Sequence, residues 1–233
     1  MINLYNNNLN ISANQEIYDS YNKFIFSNDR NIFNKLYSRF FFYEKTKNLL
    51  GDIVECGVFK GSGVFSWLKI LEMNEPNSIK KVLGFDFFDS NFVNQLENNV
   101  DRETMKQVFD RCENLENTDI SLEGIDSKII SAGFSSSKYE LIPGDISHTT
   151  KKILKDRPGF RISILYMDLD IDEPTYATLT NLWDRIVPGG IIVFDEYAYH
   201  RWTESNAVDR FIQERNLKMY STNIKAPTSY IIK

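Results

Sequence analysis

One stretch of the sequence, DIVECGVFKGSG at residues 52–63, constrains the fold more than any other. It begins with a short apolar segment that ends in an acid, Ile53-Val54-Glu55, and it then breaks into glycines at 57, 61 and 63. An amphipathic segment follows from Val64 to Met73. A strand, a Gly-rich turn and a helix in this order form the first unit of a parallel sheet, which binds a nucleotide-like ligand at the carboxyl ends of its strands. The stretch therefore predicts a Rossmann-like α/β fold.

Further apolar segments follow along the chain, and most of them lead directly into an acidic residue. The predicted strands are Val82–Asp86, Tyr139–Ile142, Ile162–Met167 and Ile191–Phe194, and two short strands at 218–221 and 229–232 complete the set. Pro188-Gly189-Gly190 is predicted to be a turn. With 233 residues and no repeat or low-complexity linker, the chain is expected to form one domain over residues 1–233.

Two segments lie outside this series of strands. Residues 1–50 contain a predicted helix from Asp29 to Leu50, which either packs on one end of the sheet or forms a lid over the ligand crevice. Residues 89–137 separate the second and third strands and are too long for a simple connection. We expect them to form a helical cap that shapes the substrate pocket.

Composition excludes several classes of protein. The net charge of −5 argues against a general nucleic-acid binder, which would carry a basic face. No window approaches the ~20 apolar residues of a membrane span, and Met1 to Asn10 has no basic region before an apolar segment, as a signal peptide would. Cys56 and Cys112 have no metal-site spacing. We expect a cytoplasmic protein, and the sequence leaves a homo-oligomer open.

The Gly-rich turn differs from a dinucleotide site. Its spacing is not G-x-G-x-x-G, and the bulky Val58-Phe59-Lys60 lies where a pyrophosphate needs close backbone approach. Asp86 is placed to accept hydrogen bonds from ribose hydroxyls, and Asp145 lies near the expected adenine. A nucleoside joined to an amino acid, S-adenosylmethionine, matches these sites, although a tight turn without a ligand is the alternative. The predicted cofactor contacts are Glu55, Gly57, Val58, Lys60, Gly61, Ser62, Gly63, Asp86, Phe87, Asp145, Ile146 and Asp168.

Acidic residues also follow the fourth and fifth strands, with Asp168 and Asp170 after one and Asp195 and Glu196 after the other. Because neighbouring parallel strands end at one edge of a sheet, we expect these carboxylates to converge at the mouth of the crevice. Like charges so close together repel unless a cation lies between them, and Mg²⁺ with its preference for oxygen ligands is the simplest choice. The alternative for Asp170 and Glu196 is that each caps the next helix.

A Mg²⁺ ion at this position suits the methylation of a hydroxyl. It lowers the pKa of the hydroxyl and orients the oxygen toward the sulfonium methyl group. A nearby carboxylate or histidine then removes the proton. The candidates for this base are Asp170 and His200, with Asp168 as a further one, and His200 is preferred to His148.

With these residues in view, the chain resembles the macrocin O-methyltransferase family of class I S-adenosylmethionine-dependent methyltransferases. The matching segments are VECGVFKGSG at 54–63, GFDFF at 84–88, YMDLDIDEPTYATL at 166–179, PGGIIVFDEY at 188–197 and ESNAVDRF at 204–211. The resemblance implies a seven-stranded, mostly parallel sheet that ends in an antiparallel hairpin. It also implies Mg²⁺ ligands at Asp168, Asp195 and the next residue. The chain departs from the family in having Glu196 where Asp is usual, and Ser62-Gly63 where Gly-Ser is frequent.

These features predict a Mg²⁺-assisted O-methyltransferase that acts on a hydroxyl of a sugar or sugar-linked metabolite, such as a surface glycan or a natural product. Its substrate would be a small molecule or a sugar nucleotide. Two alternatives remain at this stage: methylation of an amine or a phosphate oxygen, and a non-catalytic scaffold that binds the cofactor. An intact acid cluster argues against the scaffold, because a silent copy should lose such costly adjacent charges.

Overall fold

The computed structural model describes residues 11–112 and 115–233. Residues 1–10, which the sequence assigns to the lid and which carry no predicted signal peptide, lie outside the described residues. The chain divides between Phe33 and Asn34 into two compact units. Helix α1 (Ile11–Ile25) belongs to the first unit, and helix α2 (Asn31–Thr46) begins in it. Within this unit the rings of Phe24 and Phe33 stack with their centroids 6.2 Å apart.

The second unit contains a seven-stranded sheet with the strand order β3-β2-β1-β4-β5-β7-β6. The pairs among β1 to β5 are parallel, whereas β7 pairs antiparallel with both β5 and β6. The predicted fold class is therefore confirmed, including the C-terminal hairpin. The strands are β1 (Asp52–Cys56), β2 (Val82–Asp86), β3 (Tyr139–Pro143), β4 (Ile162–Met167), β5 (Ile186–Phe194), β6 (Met219–Ser221) and β7 (Ser229–Ile232).

Successive side chains of a strand point to opposite faces of a sheet. Here they enter two buried clusters, one on each face, and helices cover both faces. Ile53 packs in the cluster that contains Trp67, and Val54 packs in the cluster that contains Phe211. None of the described helices is long and apolar enough to cross a membrane. The helices after α2 are α3 (Ser62–Asn74), α4 (Asn99–Asp110), α5 (Asn117–Ile120), α6 (Leu122–Ser131), α7 (Ile146–Asp156), α8 (Asp172–Leu182) and α9 (Glu204–Arg215), with short 3-10 helices at Ser90–Gln95 and Trp183–Arg185.

The segment between β2 and β3 has a small apolar cluster of its own. Val93 and Met105 pack there against Ile171, which follows β4. A hydrogen-bond relay adds a second attachment, because the Thr203 hydroxyl donates to Asp101 of α4 at 2.6 Å and accepts from the Asp172 amide at 2.9 Å. These contacts hold the helices of this segment near the carboxyl end of β4.

The predicted turn at Pro188-Gly189-Gly190 is wrong, since these residues lie inside β5. The register between β4 and β5 shifts between Ile162 and Ile164, so β5 carries a bulge. A Cβ atom on Gly190 would lie 2.7 Å from Cγ2 of Ile186, which explains why glycine is needed there. In this chain the Pro-Gly-Gly sequence therefore marks an irregular part of a strand and not a turn.

Candidate active site

The carboxyl ends of β1, β2 and β4 open onto a cavity of about 520 Å³, a size typical of small-molecule sites. Half of the predicted cofactor residues line it, and so do Asp170 and Glu196. The lining cofactor residues are Gly57, Asp86, Phe87, Asp145, Ile146 and Asp168. The other predicted cofactor residues, Glu55, Val58, Lys60, Gly61, Ser62 and Gly63, do not line the cavity.

Gly57 allows β1 and β4 to end in contact. Its φ is 87°, and a Cβ atom there would lie 1.9 Å from the backbone oxygen of Asp168. The backbone amide of Asp168 donates a hydrogen bond to the carbonyl of Cys56, the residue before Gly57, at 2.9 Å. Only glycine permits both the left-handed backbone and this approach, so Gly57 fixes where Asp168 enters the cavity.

Asp86 holds the Gly-rich turn in place. Its Oδ2 accepts hydrogen bonds from the amides of Val58 and Phe59 at 2.7 and 2.9 Å, and its Oδ1 accepts from the Phe88 amide at 3.0 Å. The Val58 amide is therefore committed to Asp86 instead of a ligand. A carboxylate has about four acceptor positions, so Asp86 retains acceptor capacity toward the cavity that it lines.

Glu55 is buried beneath the turn, away from the cavity. Its Oε1 accepts from Nη2 of Arg39 at 2.6 Å, and its Oε2 accepts from Nε1 of Trp67 at 2.6 Å. Burial raises the pKa of Glu55, and the charge of Arg39 opposes that rise. A Cβ atom on Gly63 would lie 1.7 Å from Glu55 Oε1, so this glycine makes room for the buried ion pair. Neither Glu55 nor Gly63 lines the cavity, and their role as ligand contacts stays a prediction from the sequence.

The buried ion pair continues toward the acid cluster. The Arg39 guanidinium lies over the Tyr166 ring, 4.4 Å from its centroid, and the Tyr166 hydroxyl donates to Oδ1 of Asp195. Sequence reasoning missed Arg39, Trp67 and Tyr166. They come from α2, α3 and β4, so no local spacing could have joined them.

Asp168 and Asp195 are brought together by the sheet, because Met167 pairs with Phe194 at the end of β4 and β5. The ammonium of Lys35, on α2, lies between them, 3.0 Å from Asp168 Oδ2 and 2.7 Å from Asp195 Oδ2. Burial works against its charge, but the two carboxylates raise the pKa of Lys35 above its ordinary value. Burial and the charge of Asp168 raise the pKa of Asp195 to about 6. Sequence reasoning missed Lys35.

Three further acids surround this pair. Burial and the charge of Asp168 raise the pKa of Asp170 well above its ordinary value, and burial and Asp195 raise that of Glu196 to about 7. Glu204, at the start of α9, is fully buried, and neither of its carboxylate oxygens has a hydrogen-bond partner among the described residues. Its amide donates to the carbonyl of Asp170 at 3.2 Å. Sequence reasoning gave Glu204 no role.

The donor set of the acid cluster fits a hard divalent cation, since carboxylate oxygens are the ligands that Mg²⁺ prefers. Asp168 and Asp195 already hold one cationic group between them. Within residues 11–112 and 115–233, no three His, Cys, Asp or Glu side chains are arranged as a finished metal site. The carboxylates therefore have the right chemistry to bind Mg²⁺. Among the described residues, however, a third ligand is not already in position beside Asp168 and Asp195.

The two histidines lie outside the cavity. His200 is exposed and contacts the ring of Tyr199, 5.1 Å away between centroids. His148 is exposed as well, and its Nδ1 lies 3.0 Å from Oδ2 of Asp145. Of the predicted bases, Asp168 and Asp170 line the cavity and His200 does not.

Comparison with known proteins identifies the family. The sequence model of Macrocin-O-methyltransferase (TylF) matches residues 43–233, which is most of the chain. The chain belongs to the macrocin O-methyltransferase family. The resemblance drawn from the sequence is thereby confirmed.

One curated relative is the 8-demethyl-8-(2,3-dimethoxy-alpha-L-rhamnosyl)-tetracenomycin-C 4'-O-methyltransferase of Streptomyces olivaceus. It is 26% identical over 148 residues, which are 64% of this chain and 53% of the relative. The chain therefore spans about half the length of that relative.

Two solved structures share the fold of this family member. CalS11, a TDP-rhamnose 3'-O-methyltransferase of calicheamicin biosynthesis, is 22% identical with a TM-score of 0.66, and the match covers 88% of this chain and 81% of CalS11. The O-methyltransferase NovP is 22% identical with a TM-score of 0.70, and the match covers 85% of this chain and 79% of NovP. At 22% identity, the likeness of these structures is evidence for a shared fold alone.

Proposed function

We propose that this member of the macrocin O-methyltransferase family transfers a methyl group from S-adenosylmethionine to a hydroxyl of a sugar or sugar-linked metabolite. One observation carries the proposal: a single cavity is lined by Asp86 and Asp145 on one side and by Asp168, Asp170 and Glu196 on the other. The first pair suits a nucleoside, and the acids suit the activation of a hydroxyl.

The cofactor is assigned to the part of the cavity beside Gly57, Asp86 and Phe87. Asp86 would accept from the ribose hydroxyls, with Asp145 and Ile146 beside the adenine. The cofactor supplies an electrophilic methyl group on a sulfonium. Because Gly61, Ser62 and Gly63 lie off the cavity, the methionine portion would rely on the turn near Gly57 and on Asp168.

Asp168, Asp195 and Glu196 are the residues that would hold Mg²⁺. When bound, the ion would lower the pKa of an acceptor hydroxyl and orient its oxygen. Asp170 is assigned to proton removal, because it lines the cavity beside Asp168 and a carboxylate at this position can accept the proton of a bound hydroxyl. The cap at 89–137 would shape the acceptor side, since Phe92 and Phe109 line the cavity.

Calorimetry with S-adenosylmethionine, followed by transfer of a labelled methyl group to a panel of glycosides, amines and phosphate esters, tests this function. We expect cofactor binding and labelling of a glycoside. Absence of binding at millimolar cofactor would overturn the assignment, while labelling of only an amine or a phosphate would favour the alternative nucleophile. Binding without transfer to any acceptor would favour a scaffold.

Two substitutions separate the roles within the site. Asp195→Ala should abolish turnover and leave cofactor affinity nearly intact, and removal of metal with EDTA should stop the wild type. Asp170→Asn should reduce the transfer rate by about 100-fold or more, as expected for loss of a general base, and His200→Asn serves as the matched control. Equal rates for the Asp170→Asn variant and the wild type would contradict the assigned base.

A further inference from the structure

The cofactor assigned to this cavity carries its charges at the amino-acid end. The sulfonium and the α-ammonium of S-adenosylmethionine are cationic, and its α-carboxylate is anionic at neutral pH. Of the described residues that line the cavity, eight are acidic and one, Lys35, is basic. The acids attract the two cationic groups, whereas the carboxylate needs a cation or free backbone amides. The carboxylate is therefore the group whose partner the cavity restricts most.

The Gly-rich turn has few amides left for that carboxylate. Asp86 accepts hydrogen bonds from the amides of Val58 and Phe59. Backbone carbonyls accept from the amides of Gly57 and Gly61 at 2.9 and 2.8 Å. The start of α3, where free helix amides would suit an anion, does not line the cavity. These contacts favour a side chain as the donor to the carboxylate.

Lys35 reaches the end of the cavity to which the methionine portion is assigned. Its ammonium lies 3.0 Å from Oδ2 of Asp168, the residue whose backbone oxygen meets Gly57. It also lies 2.7 Å from Oδ2 of Asp195. An ammonium has three N–H donors, so one remains after these two contacts. The Lys35 side chain is 32% exposed and lines the cavity, which brings the ammonium within reach of a ligand.

Helix α2 is anchored to the sheet one turn after Lys35. Arg39 pairs there with the buried Glu55 of β1 at 2.6 Å. Nη1 of Arg39 also donates to the Lys35 carbonyl at 3.2 Å, and the Ser38 hydroxyl donates to the same carbonyl at 3.0 Å. These contacts lie within the second unit of the chain. They fix the backbone of Lys35, so only its flexible stem needs to adjust to a ligand.

From these contacts we propose that Lys35 binds the α-carboxylate of S-adenosylmethionine, with the α-ammonium of the cofactor on Asp168. The inference rests on the proposed function and adds a cofactor-binding residue that the sequence did not predict. It does not depend on a divalent ion at Asp168 and Asp195, because an ammonium displaced from these oxygens has more free donors and not fewer.

The alternative role for Lys35 is to neutralise Asp168 and Asp195 without contacting the cofactor. The two roles differ in how they depend on the carboxylate. A neutralising lysine affects the cofactor and an analogue without the carboxylate alike. A lysine that binds the carboxylate favours the cofactor over that analogue.

Calorimetry with two ligands tests the inference without requiring turnover, and EDTA in the buffer removes divalent ions. The ligands are S-adenosylmethionine and decarboxylated S-adenosylmethionine, which keeps the sulfonium and the amine. The wild type should bind S-adenosylmethionine about tenfold more tightly, as expected for one hydrogen bond between charged groups. Lys35→Met should weaken S-adenosylmethionine binding by about tenfold. The same variant should bind the decarboxylated ligand equally well or more tightly, because a cation is removed from beside a cationic ligand.

Further variants make this comparison specific. Lys35→Arg keeps a cation and should retain part of the preference for S-adenosylmethionine. Lys35→Gln, with circular dichroism as a check on folding, covers the case in which the Met variant is unstable. Lys47→Met is the matched control, because Lys47 is paired with Glu44 on the surface and should not affect the preference. Lys60→Met tests the turn lysine that the sequence predicts as a cofactor contact and that does not line the cavity.

Equal affinity of the wild type for the two ligands would overturn the inference. A parallel loss of affinity for both ligands in Lys35→Met would do the same, and so would a preference that is lost in Lys60→Met and kept in Lys35→Met. Failure of the wild type to bind S-adenosylmethionine at all would instead count against the proposed function itself.

Discussion

At the scale of single residues, Gly57 shows how the sheet constrains the site. Its left-handed backbone is the smaller constraint, because Gly133 has a nearly identical φ of 88° with no atom within 4 Å of an added Cβ. The larger one is the Asp168 carbonyl, which a Cβ on Gly57 would meet at 1.9 Å. Gly57 therefore positions the first acid of the site through the backbone.

Comparison of Gly57→Ala with Gly133→Ala separates these two costs. Gly133→Ala should lower the free energy of unfolding by only ~1–2 kcal/mol, the cost of a left-handed alanine. Gly57→Ala should cost more than that by at least ~2 kcal/mol, because the end of β4 must also move. Urea denaturation of both variants measures the difference. Equal losses would show that β1 and β4 do not meet as described.

Glu55 shows what the sequence interpretation of a residue leaves out even within a correct motif. The sequence shows an acid at the end of a strand beside a Gly-rich turn, which is the expected place of a ligand contact. It does not show that Arg39 and Trp67, from two other elements, take both carboxylate oxygens. Side-chain partners that are distant in the chain are set by packing, and no periodicity in the sequence reports them.

At the scale of elements, the cap depends on the Asp101 relay. Asp101 of α4 is buried and accepts from Thr203, which in turn accepts from the first amide of α8. Burial raises the pKa of Asp101, and the hydrogen bond from Thr203 opposes that rise. One carboxylate thus joins the cap to the two helices that follow β4 and β5.

The pH dependence of stability should reveal this buried charge. A carboxyl whose folded pKa is raised contributes its full stability below the unfolded pKa of ~3.9, and loses it as the pH rises through the folded pKa. Asp101→Asn keeps the acceptor oxygen and has no charge. Its free energy of unfolding relative to the wild type should therefore increase from about pH 4 upward.

Denaturation at a series of pH values checks this expectation, with Thr203→Val as the companion variant. Thr203→Val removes the donor and leaves the Asp101 charge buried, so it should destabilise the protein by ~1–3 kcal/mol at neutral pH. Hydrogen exchange of α4 should rise with it. A pH-independent difference between Asp101→Asn and the wild type would contradict a buried, ionising Asp101.

At the scale of the whole molecule, the sheet was predictable because its signals are local. Each of the five parallel strands has an acid within two residues of its carboxyl end, and β4 is buried along its whole length, as a central parallel strand should be. The bulge in β5 and helix α1 were not predicted. The acid cluster was predictable from strand order, whereas Lys35 and Glu204 were not, because α2 and α9 reach the strand ends only in the folded chain.

This organisation predicts that residues 1–27 are dispensable for the second unit. The three apolar clusters begin at Phe42, and the described cavity lining begins at Lys35. A chain that starts at Asn28 keeps Asp29, whose Oδ1 accepts from the amides of Asn31 and Ile32 at the start of α2. It should unfold cooperatively within about 4 °C of the full chain, which corresponds to ~1 kcal/mol at this size.

S-adenosylmethionine affinity should also be unchanged by this deletion, because no cofactor residue is removed. Thermal melts followed by circular dichroism and calorimetry with the cofactor measure the two properties. A molten or aggregated product would show that the first unit is needed to complete the core. Intact folding and cofactor affinity combined with slower methyl transfer would instead support a lid role for residues 1–27, which are part of the segment 1–50 that the sequence assigns to a lid. Closure over bound substrates affects turnover and not the stability of the sheet.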